Sequence, residues 1–443
     1  MSIFRPILKD KEFSLEKRLR LFEATMAGVG FILGAGIYVL IGAVANFSGS
    51  AIWLSFIFAG FAALASGFSY AELSSMFPVA ESEYIYANEG LGKRYGFFAY
   101  ISVILALTIG ISGVSMGFAS YFSELTGVSN LFLIAVCVIA FFALLNWYSI
   151  KYAARVTFIC TIISIIGLLG IVALAFFSGP STSADYFVMP EGLLGVIRGA
   201  SLIFFAYLGF EGIVKIADET KNARKNIPIA IILAIIISTV VYIAVALAAV
   251  SVLSWEELAA SSAPLADVAA SVMGNQAFVV LAIIALLSTA NTILMGILSS
   301  SRGFYGLGQI FNKFKFFSKI GKRNTPTRAI VVTSLIAVMF LAFGDISTIV
   351  GFTNFLIFAT FIIINIAAIN LRYKKPHLKR KFKMPFNIGK IPVFSVLGIA
   401  ISFLLIFNLE TLHIISGFIG TGLLFLIYHI LYKNSKKVKR SDA

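Results

Sequence analysis

The chain has 443 residues, of which 59% are hydrophobic and only 12% are charged, and its formal net charge is +15. Soluble domains carry about 25% charged residues, so this composition excludes an ordinary water-soluble globular protein. Two cysteines and three histidines are too few and too scattered for a disulfide framework or a zinc site, and we expect neither a metal nor a cofactor.

Apolar runs of about 20 residues, the length that crosses a bilayer as a helix, recur along nearly the whole chain. Twelve such spans are predicted, and they leave no room for a separate soluble domain. In chain order they cover residues 24–47, 51–77, 96–122, 131–148, 154–178, 194–214, 227–253, 276–300, 328–343, 346–370, 392–409 and 413–432. The sequence therefore predicts an all-α integral membrane protein in which residues 1–443 form a single transmembrane domain.

The placement of the basic residues predicts the orientation of these spans. All but one of the 35 lysines and arginines lie in alternate segments, namely the N-terminus, the loops after spans 2, 4, 6, 8 and 10, and the C-terminus. The exception is Arg198, at the start of span 6. Because short basic loops stay on the cytoplasmic side of the cell membrane, both termini are predicted to be cytoplasmic. Charge shared so evenly among loops indicates orientation and attraction to anionic membrane lipid, and it argues against binding to nucleic acid.

Two spans contain glycine patterns that favour a broken helix. Span 1 has four glycines within nine residues, from Gly28 to Gly36, and span 6 contains Gly199 and then Gly209, shortly before Glu211. Glycine costs about 1 kcal/mol relative to alanine inside a helix, so we expect both spans to unwind locally. Close helix packing through small residues is the alternative explanation.

The two expected breaks lie five spans apart, and the predicted orientation makes span 1 start inside the cell and span 6 start outside. Broken helices at matching positions in oppositely oriented units are typical of transporters with inverted repeats, whose substrate site lies near the membrane midplane. Residues 23–178 are therefore predicted to form a first five-helix repeat, and residues 194–372 a second, inverted one. Residues 392–432 supply two additional helices.

Glu211 is the acidic residue placed deepest within a predicted span, just after the expected break in span 6. An ionisable side chain inside the membrane is costly and by default suggests a function. Binding, gating and ion coupling are the functional hypotheses. The structural alternative is that the carboxylate caps backbone N–H groups that the break has freed, and the two kinds of role can coexist.

No set of catalytic residues is recognised in the sequence. Gly110-Ile111-Ser112-Gly113 has the Gly-x-Ser-Gly form of rhomboid-type intramembrane proteases. Four small residues in a membrane span are far more often a surface for helix packing. The chain is therefore interpreted as a transporter and not an enzyme, with an intramembrane enzyme as the remote alternative.

Several motifs resemble those of the amino acid–polyamine–organocation permeases, above all the prokaryotic members that are similar to cationic amino acid transporters. In chain order they are Arg20 to Thr25 leading into the glycines of span 1, Tyr70 to Leu73 with Pro78, Phe204 to Glu211 followed by residues 217–222 and Ile227-Pro228, and Ser301-Arg302. The resemblance extends over about residues 14–330. It implies the LeuT-type fold of two inverted five-helix repeats plus two helices, and amino acid transport by alternating access. A carrier of polyamines or other organic cations with the same fold is the alternative.

The resemblance also implies where an amino acid would bind. Its carboxylate would contact the backbone N–H groups of Gly34, Ala35 and Gly36 at the break in span 1. Its ammonium group would contact the backbone carbonyls of four residues, Ile32, Phe205, Ala206 and Leu208. The physical chemistry agrees, since half-helix N-termini carry partial positive charge and exposed C-terminal carbonyls attract cations.

Two positions depart from the family pattern. Many relatives have a Ser or Thr where this chain has Ala35, and many have a lysine in span 5 where this chain has Ser164. A serine cannot titrate, so Glu211 is predicted to carry a coupling proton in place of that lysine. Sodium is the alternative, held by the hydroxyls of Ser164, Ser288 and Thr289 with carbonyls of span 1, since hard cations favour oxygen ligands. Exchange without any coupling ion is a third possibility.

Overall fold

The structure, a computed structural model, describes residues 19–79, 81–148, 150–179, 185–321 and 325–441. The first half of this part of the chain forms helices α1 (Leu21–Ile32), α2 (Gly36–Ser48), α3 (Ile52–Met76), α4 (Ser82–Leu91), α5 (Lys93–Thr126), α6 (Leu131–Tyr148) and α7 (Ile150–Ser178). The second half forms α8 (Gly192–Ile203), α9 (Gly212–Lys215), α10 (Ala223–Val252), α11 (Trp255–Ala260), α12 (Pro264–Met273), α13 (Asn275–Ile310), α14 (Thr327–Phe340), α15 (Ile346–Lys374), α16 (Val393–Phe407) and α17 (Thr411–Ser441). Between α15 and α16, strands β1 (Asn387–Ile388) and β2 (Ile391–Pro392) pair in an antiparallel hairpin.

Fourteen of these helices form the twelve predicted spans. In the described ranges, nine helical segments are long and apolar enough to cross a membrane, and four shorter apolar helices accompany them. Spans 1 and 6 are each divided into two helices, whereas each of the other ten spans is one helix. The prediction of an all-α membrane protein is confirmed.

Three helices lie outside the predicted spans, namely α4, α11 and α12. They have ten residues or fewer, so a search for apolar runs long enough to cross a bilayer does not detect them. α11 had a local signal in its capping box, in which Ser254 Oγ accepts from the Glu257 N–H at 3.2 Å and the Glu257 carboxylate accepts from the Ser254 N–H at 2.9 Å. α13 continues ten residues beyond its predicted end at residue 300, since a helix that leaves the hydrocarbon layer can stay helical.

The most extensive helix packing in the bundle involves α3, α5, α10, α13 and α15. α3 packs along α10, and α5 packs along both α13 and α15. In the most apolar window of α5, 89% of the residues are buried, against 6% in the corresponding window of α17. α5 is therefore a central wall of the protein, and α17 is a peripheral helix whose apolar surface suits contact with lipid.

Both predicted breaks are present. In span 1, α1 ends at Ile32 and α2 begins at Gly36. In span 6, α8 gives way to a 3₁₀ turn at Phe204–Tyr207, and α9 begins only at Gly212. The chain turns at Gly209, whose φ of +124° favours glycine and whose absent Cβ would lie 2.5 Å from the Phe31 carbonyl oxygen. The glycines thus allow the two breaks to approach each other.

Two contacts tie segments together on the side of the basic loops. A buried ion pair joins α3 to α15, with Arg372 Nε donating to Glu72 Oε1 at 2.8 Å. Near the start of α1, Leu19 forms a parallel bridge with the segment after α9, donating to the Glu219 carbonyl and accepting from the Lys221 N–H. The half-helices α1 and α9 lie on the same side of the two breaks, and the backbone hydrogen bonds of Leu19 link the segments next to them.

Candidate functional site

A cavity of about 2000 Å³ extends from the two breaks toward the basic loops. At its far end it is lined by Arg302 near the end of α13 and by Lys375 and Lys379 after α15. On the opposite side of the breaks the helices are in contact, since Tyr121 of α5 donates to the Tyr38 carbonyl of α2 at 3.0 Å. The cavity is thus accessible from the side that carries the basic loops.

The predicted substrate contacts all lie around this cavity. Its lining includes the seven backbone positions named from the sequence, Ile32, Gly34, Ala35, Gly36, Phe205, Ala206 and Leu208. Glu211 lines it as well. Residues about 170 positions apart in the chain are therefore gathered at one place, and their role in binding stays a prediction.

The backbone N–H groups at the span 1 break are partly engaged. The Gly34 N–H donates to the Ile32 carbonyl at 2.7 Å, and the Ala35 N–H donates to Thr292 Oγ1 at 3.2 Å. Gly36 is the first residue of α2, and the first amides of a helix have no partner within it. The anion-attracting end of α2 therefore faces the cavity, with the Thr292 hydroxyl beside it.

Thr292 is a site residue that the sequence reasoning missed. Its hydroxyl donates to the Ser288 carbonyl one turn earlier in α13, at 3.0 Å, and accepts from Ala35. The resemblance described above implies a Ser or Thr in span 1 at this place in many relatives, and Ala35 lacks that hydroxyl. The neighbouring helix supplies one instead, and the only signal was a run of hydroxyl residues on α13.

Gly36 brings the two breaks into direct contact. A Cβ atom added to Gly36 would lie 2.5 Å from Ala206 Cα and 2.7 Å from Ala206 Cβ. No side chain fits in that space without moving span 6. The glycine at this position is therefore required by the contact between the two breaks.

Tyr242 of α10 also joins the breaks, and the sequence reasoning did not identify it. Its buried hydroxyl lies 2.7 Å from the Ile32 carbonyl oxygen and 2.9 Å from the Ala206 carbonyl oxygen. A phenol has one proton, so it donates to one of the two carbonyls at a time. Two carbonyls predicted to hold an ammonium group thus converge on one point, with a donor shared between them.

Glu211 makes the capping contact that was its structural alternative. Its side chain is 2% exposed, and Oε2 accepts a hydrogen bond from the Gly209 N–H at 3.0 Å. That N–H has no place in a helix because Gly209 lies in the break. The carboxylate therefore stabilises the turn of span 6 while it also lines the cavity.

The three hydroxyls proposed for sodium are not gathered at the cavity. Ser164 donates to the Cys160 carbonyl and Thr289 to the Ala285 carbonyl, each at 2.8 Å and within its own helix. Ser288, next to Thr289 in α13, is buried, and none of the three residues belongs to the cavity lining. The structure brings Thr292 to the span 1 break in their place.

The wall of the cavity beside the breaks is mostly apolar. Six residues from three elements form it: Ala106, Gly110, Ile111 and Val114 of α5, Phe205 of the span 6 break, and Met295 of α13. A Cβ at Gly110 would lie 3.0 Å from the ring of Phe205, so α5 and the break are already closely packed. This wall offers van der Waals contacts and no charge.

Comparison with known proteins agrees with this architecture. Residues 19–428 match the family model described as amino acid permease. A methylthioribose transporter of Bacillus subtilis is 30% identical over 89% of both chains. The branched-chain amino acid permease BcaP of the same bacterium is 29% identical over 96% of this chain and 95% of its own. The chloroplastic cationic amino acid transporter 9 of Arabidopsis thaliana is 28% identical over 69% of this chain and 58% of its own. The chain therefore belongs to the amino acid permease family and is a multi-pass membrane transporter.

Proposed function

We propose that this transporter moves amino acids across the cell membrane by alternating access, with the substrate held between the breaks of spans 1 and 6. The observation that carries the proposal is the convergence of the N-terminus of α2 and the carbonyls of Ile32 and Ala206 on one cavity. These groups have opposite partial charges. They match the two charged groups that every free α-amino acid has.

The two ends of the substrate have different partners. The carboxylate would take the N–H groups at the start of α2, next to the Thr292 hydroxyl. The ammonium group would take the carbonyl that Tyr242 leaves free. No charged side chain is needed for either contact, so the site recognises the backbone of the amino acid and leaves the side chain to the cavity wall.

The apolar wall of the cavity favours an amino acid substrate with a neutral, aliphatic side chain. A permanent charge placed against Ile111, Val114 and Met295 would lose its hydration without gaining a partner. The relative BcaP is named for branched-chain amino acids, which such a wall suits. Methylthioribose has neither a carboxylate nor an ammonium group, so it would leave both ends of the site unpaired. A polyamine would leave the N-terminus of α2 unpaired.

For the architecture, we propose that residues 23–178 and 194–372 are inverted repeats that move relative to each other. Residues 392–432 supply two further helices. The basic loops and both termini would face the cytoplasm, and basic residues would contact anionic lipid there. The cavity then faces inward, and the contact between Tyr121 and Tyr38 closes the outer side.

For coupling, we propose that Glu211 carries a proton and that sodium is not required. The support for this proposal is that Glu211 is buried at the cavity, whereas the three hydroxyls considered for sodium do not belong to the cavity lining. Uptake should then depend on pH and persist when choline replaces sodium. Glu211→Gln should flatten the pH dependence while an amide oxygen still accepts from the Gly209 N–H. Substrate binding that requires sodium would contradict this proposal.

The decisive experiment is a binding screen on the purified protein. Thermal-shift and scintillation-proximity assays would compare every proteinogenic amino acid with polyamines and methylthioribose. For the best ligand, two matched analogues test the two ends of the site, one analogue for each end. If leucine is the best ligand, the analogues are leucinol, which lacks the carboxylate, and 4-methylpentanoate, which lacks the ammonium group. Both should fail to compete with leucine for the site. Competition by either analogue at the concentration of leucine would refute the proposed contacts.

A further inference from the structure

A second buried carboxylic acid, Glu83 of α4, lines the same cavity as Glu211. Its side chain is 1% exposed, although α4 lies outside the membrane spans. Glu83 Oε2 accepts a hydrogen bond from Ser82 Oγ at 3.0 Å. Its other oxygen, Oε1, is buried and has no hydrogen-bond partner among the residues that the structure describes. A buried carboxylate oxygen without a partner requires an explanation.

Tyr70 of α3 lies between Glu83 and the span 6 break. Its ring contacts the ring of Tyr86, one turn after Glu83 on α4, with 6.0 Å between centroids. On the other side it contacts Phe210, the residue before Glu211, with 5.6 Å between centroids. The Tyr70 hydroxyl is buried and has no partner within the described ranges.

Two lysines near α4 contact groups other than Glu83. At the far end of the helix, Lys375 pairs with Glu89 and Lys374 donates to the Gly90 carbonyl. In the described part of the chain, no lysine or arginine forms an ion pair with Glu83. The same cavity is also lined by the acids Glu81, Glu89, Glu211 and Glu219, by the phenols Tyr84, Tyr100 and Tyr305, and by Lys215, Arg224, Arg302, Lys375, His377 and Lys379.

Two buried carboxylates that line one cavity are costly to ionise together, since like charges in a site of low dielectric repel. An unpaired buried charge costs several kcal/mol. A metal ion would need about six oxygen ligands, and a substrate ammonium group would need access to Oε1, which has no exposed surface. A proton satisfies the oxygen without any added volume.

We propose that Glu83 is a proton-binding residue of this transporter and that Glu83 and Glu211, which line the same cavity with Tyr70 packed between their helices, are two carboxylic acids that take up and release protons in the transport cycle. The inference rests on the proposed proton-coupled transport and adds a second carrier to it. Protonation consumes one hydronium ion from the cavity water and leaves a neutral carboxyl group and water. The release on the other side of the transport cycle is the reverse step.

The test compares the wild-type protein with Glu83→Gln and with the matched control Glu81→Gln in proteoliposomes. Glu81 is on the same turn, lines the same cavity and is more exposed. In the wild type and the control, uptake should increase about tenfold as the external pH falls from about 8 to about 5.5. In Glu83→Gln the change should shrink to about twofold or less, and a pH gradient should no longer drive accumulation.

A second readout separates coupling from folding. Exchange of labelled for unlabelled amino acid at equal pH needs no net proton movement, so Glu83→Gln should retain it within about threefold of the wild type. If that variant does not fold, Tyr70→Phe removes only the unpartnered hydroxyl, and it should shift the pH at which uptake is half-maximal. If the folded variant has the same pH profile of uptake as the wild type, Glu83 does not carry a coupled proton. That result would leave the proposed amino acid transport unaffected. A wild-type protein that binds no amino acid would overturn the proposed function itself.

Discussion

Replacing Gly36 by alanine would place a methyl group between the two helix breaks. The added Cβ would lie 2.5 Å from Ala206 Cα and 2.7 Å from Ala206 Cβ, whereas carbon atoms pack at about 3.5–4.0 Å. The nearest atom belongs to the backbone, so no side-chain rotation relieves the contact. The breaks must therefore separate by about 1 Å.

The cost of that separation can be estimated from overpacking in protein cores. An extra methyl group in a closely packed site costs about 1–3 kcal/mol. If the substrate requires both breaks at their present distance, this energy is lost from binding and weakens the affinity about 5- to 150-fold. Gly34→Ala should have a smaller effect, because its Cβ would meet the Thr292 hydroxyl at 2.9 Å and that side chain can rotate.

The assay is equilibrium binding of the best amino acid ligand to purified variants, with melting temperature as the measure of folding. Gly170→Ala of α7 is the matched control, since no atom lies within 4 Å of the added Cβ. It should bind normally and melt slightly higher, as alanine favours the helix by about 1 kcal/mol. If Gly36→Ala binds the ligand as tightly as Gly170→Ala, the breaks do not form the substrate site in this arrangement.

Three further predictions test other parts of the structure. Tyr242→Phe removes the hydroxyl shared by the carbonyls of the two breaks and should destabilise the ligand-free protein by about 1–3 kcal/mol; an unchanged melting temperature would contradict that bridge. Glu72→Gln leaves Arg372 buried without its charge partner and should lower the free energy of unfolding by about 3–5 kcal/mol. The measurement is thermal stability in detergent, and an unchanged stability would mean that the ion pair is solvated. Single cysteines in residues 256–264 should react with an impermeant reagent on intact cells, and ones in residues 376–383 should react only after lysis; the reverse pattern would refute the proposed orientation.

The number of spans and both breaks could be predicted from the sequence because they depend on local properties. A run of about 20 apolar residues crosses a bilayer whatever it packs against. Four glycines in nine residues weaken a helix before any neighbour is considered. The family motifs added the seven backbone positions at the cavity, and Glu211 stood out because a charge inside a span is rare. None of these inferences required knowledge of which helices touch.

The remaining parts of the site were decided by the tertiary structure alone. Thr292 contacts Ala35 across 257 positions of the chain, and Tyr242 contacts Ile32 across 210. Such contacts depend on the rotation of one helix against another, and a shift by one residue turns a side chain by about 100° around the helix axis. The sequence contained no indication of a role for Glu83, because a carboxylate in a short helix outside the spans is normally exposed to water. Only the packing of α4 shows that this one is buried. Composition and local pattern therefore determined what kind of protein this chain forms, whereas the packing of distant segments determined which side chains meet at its site.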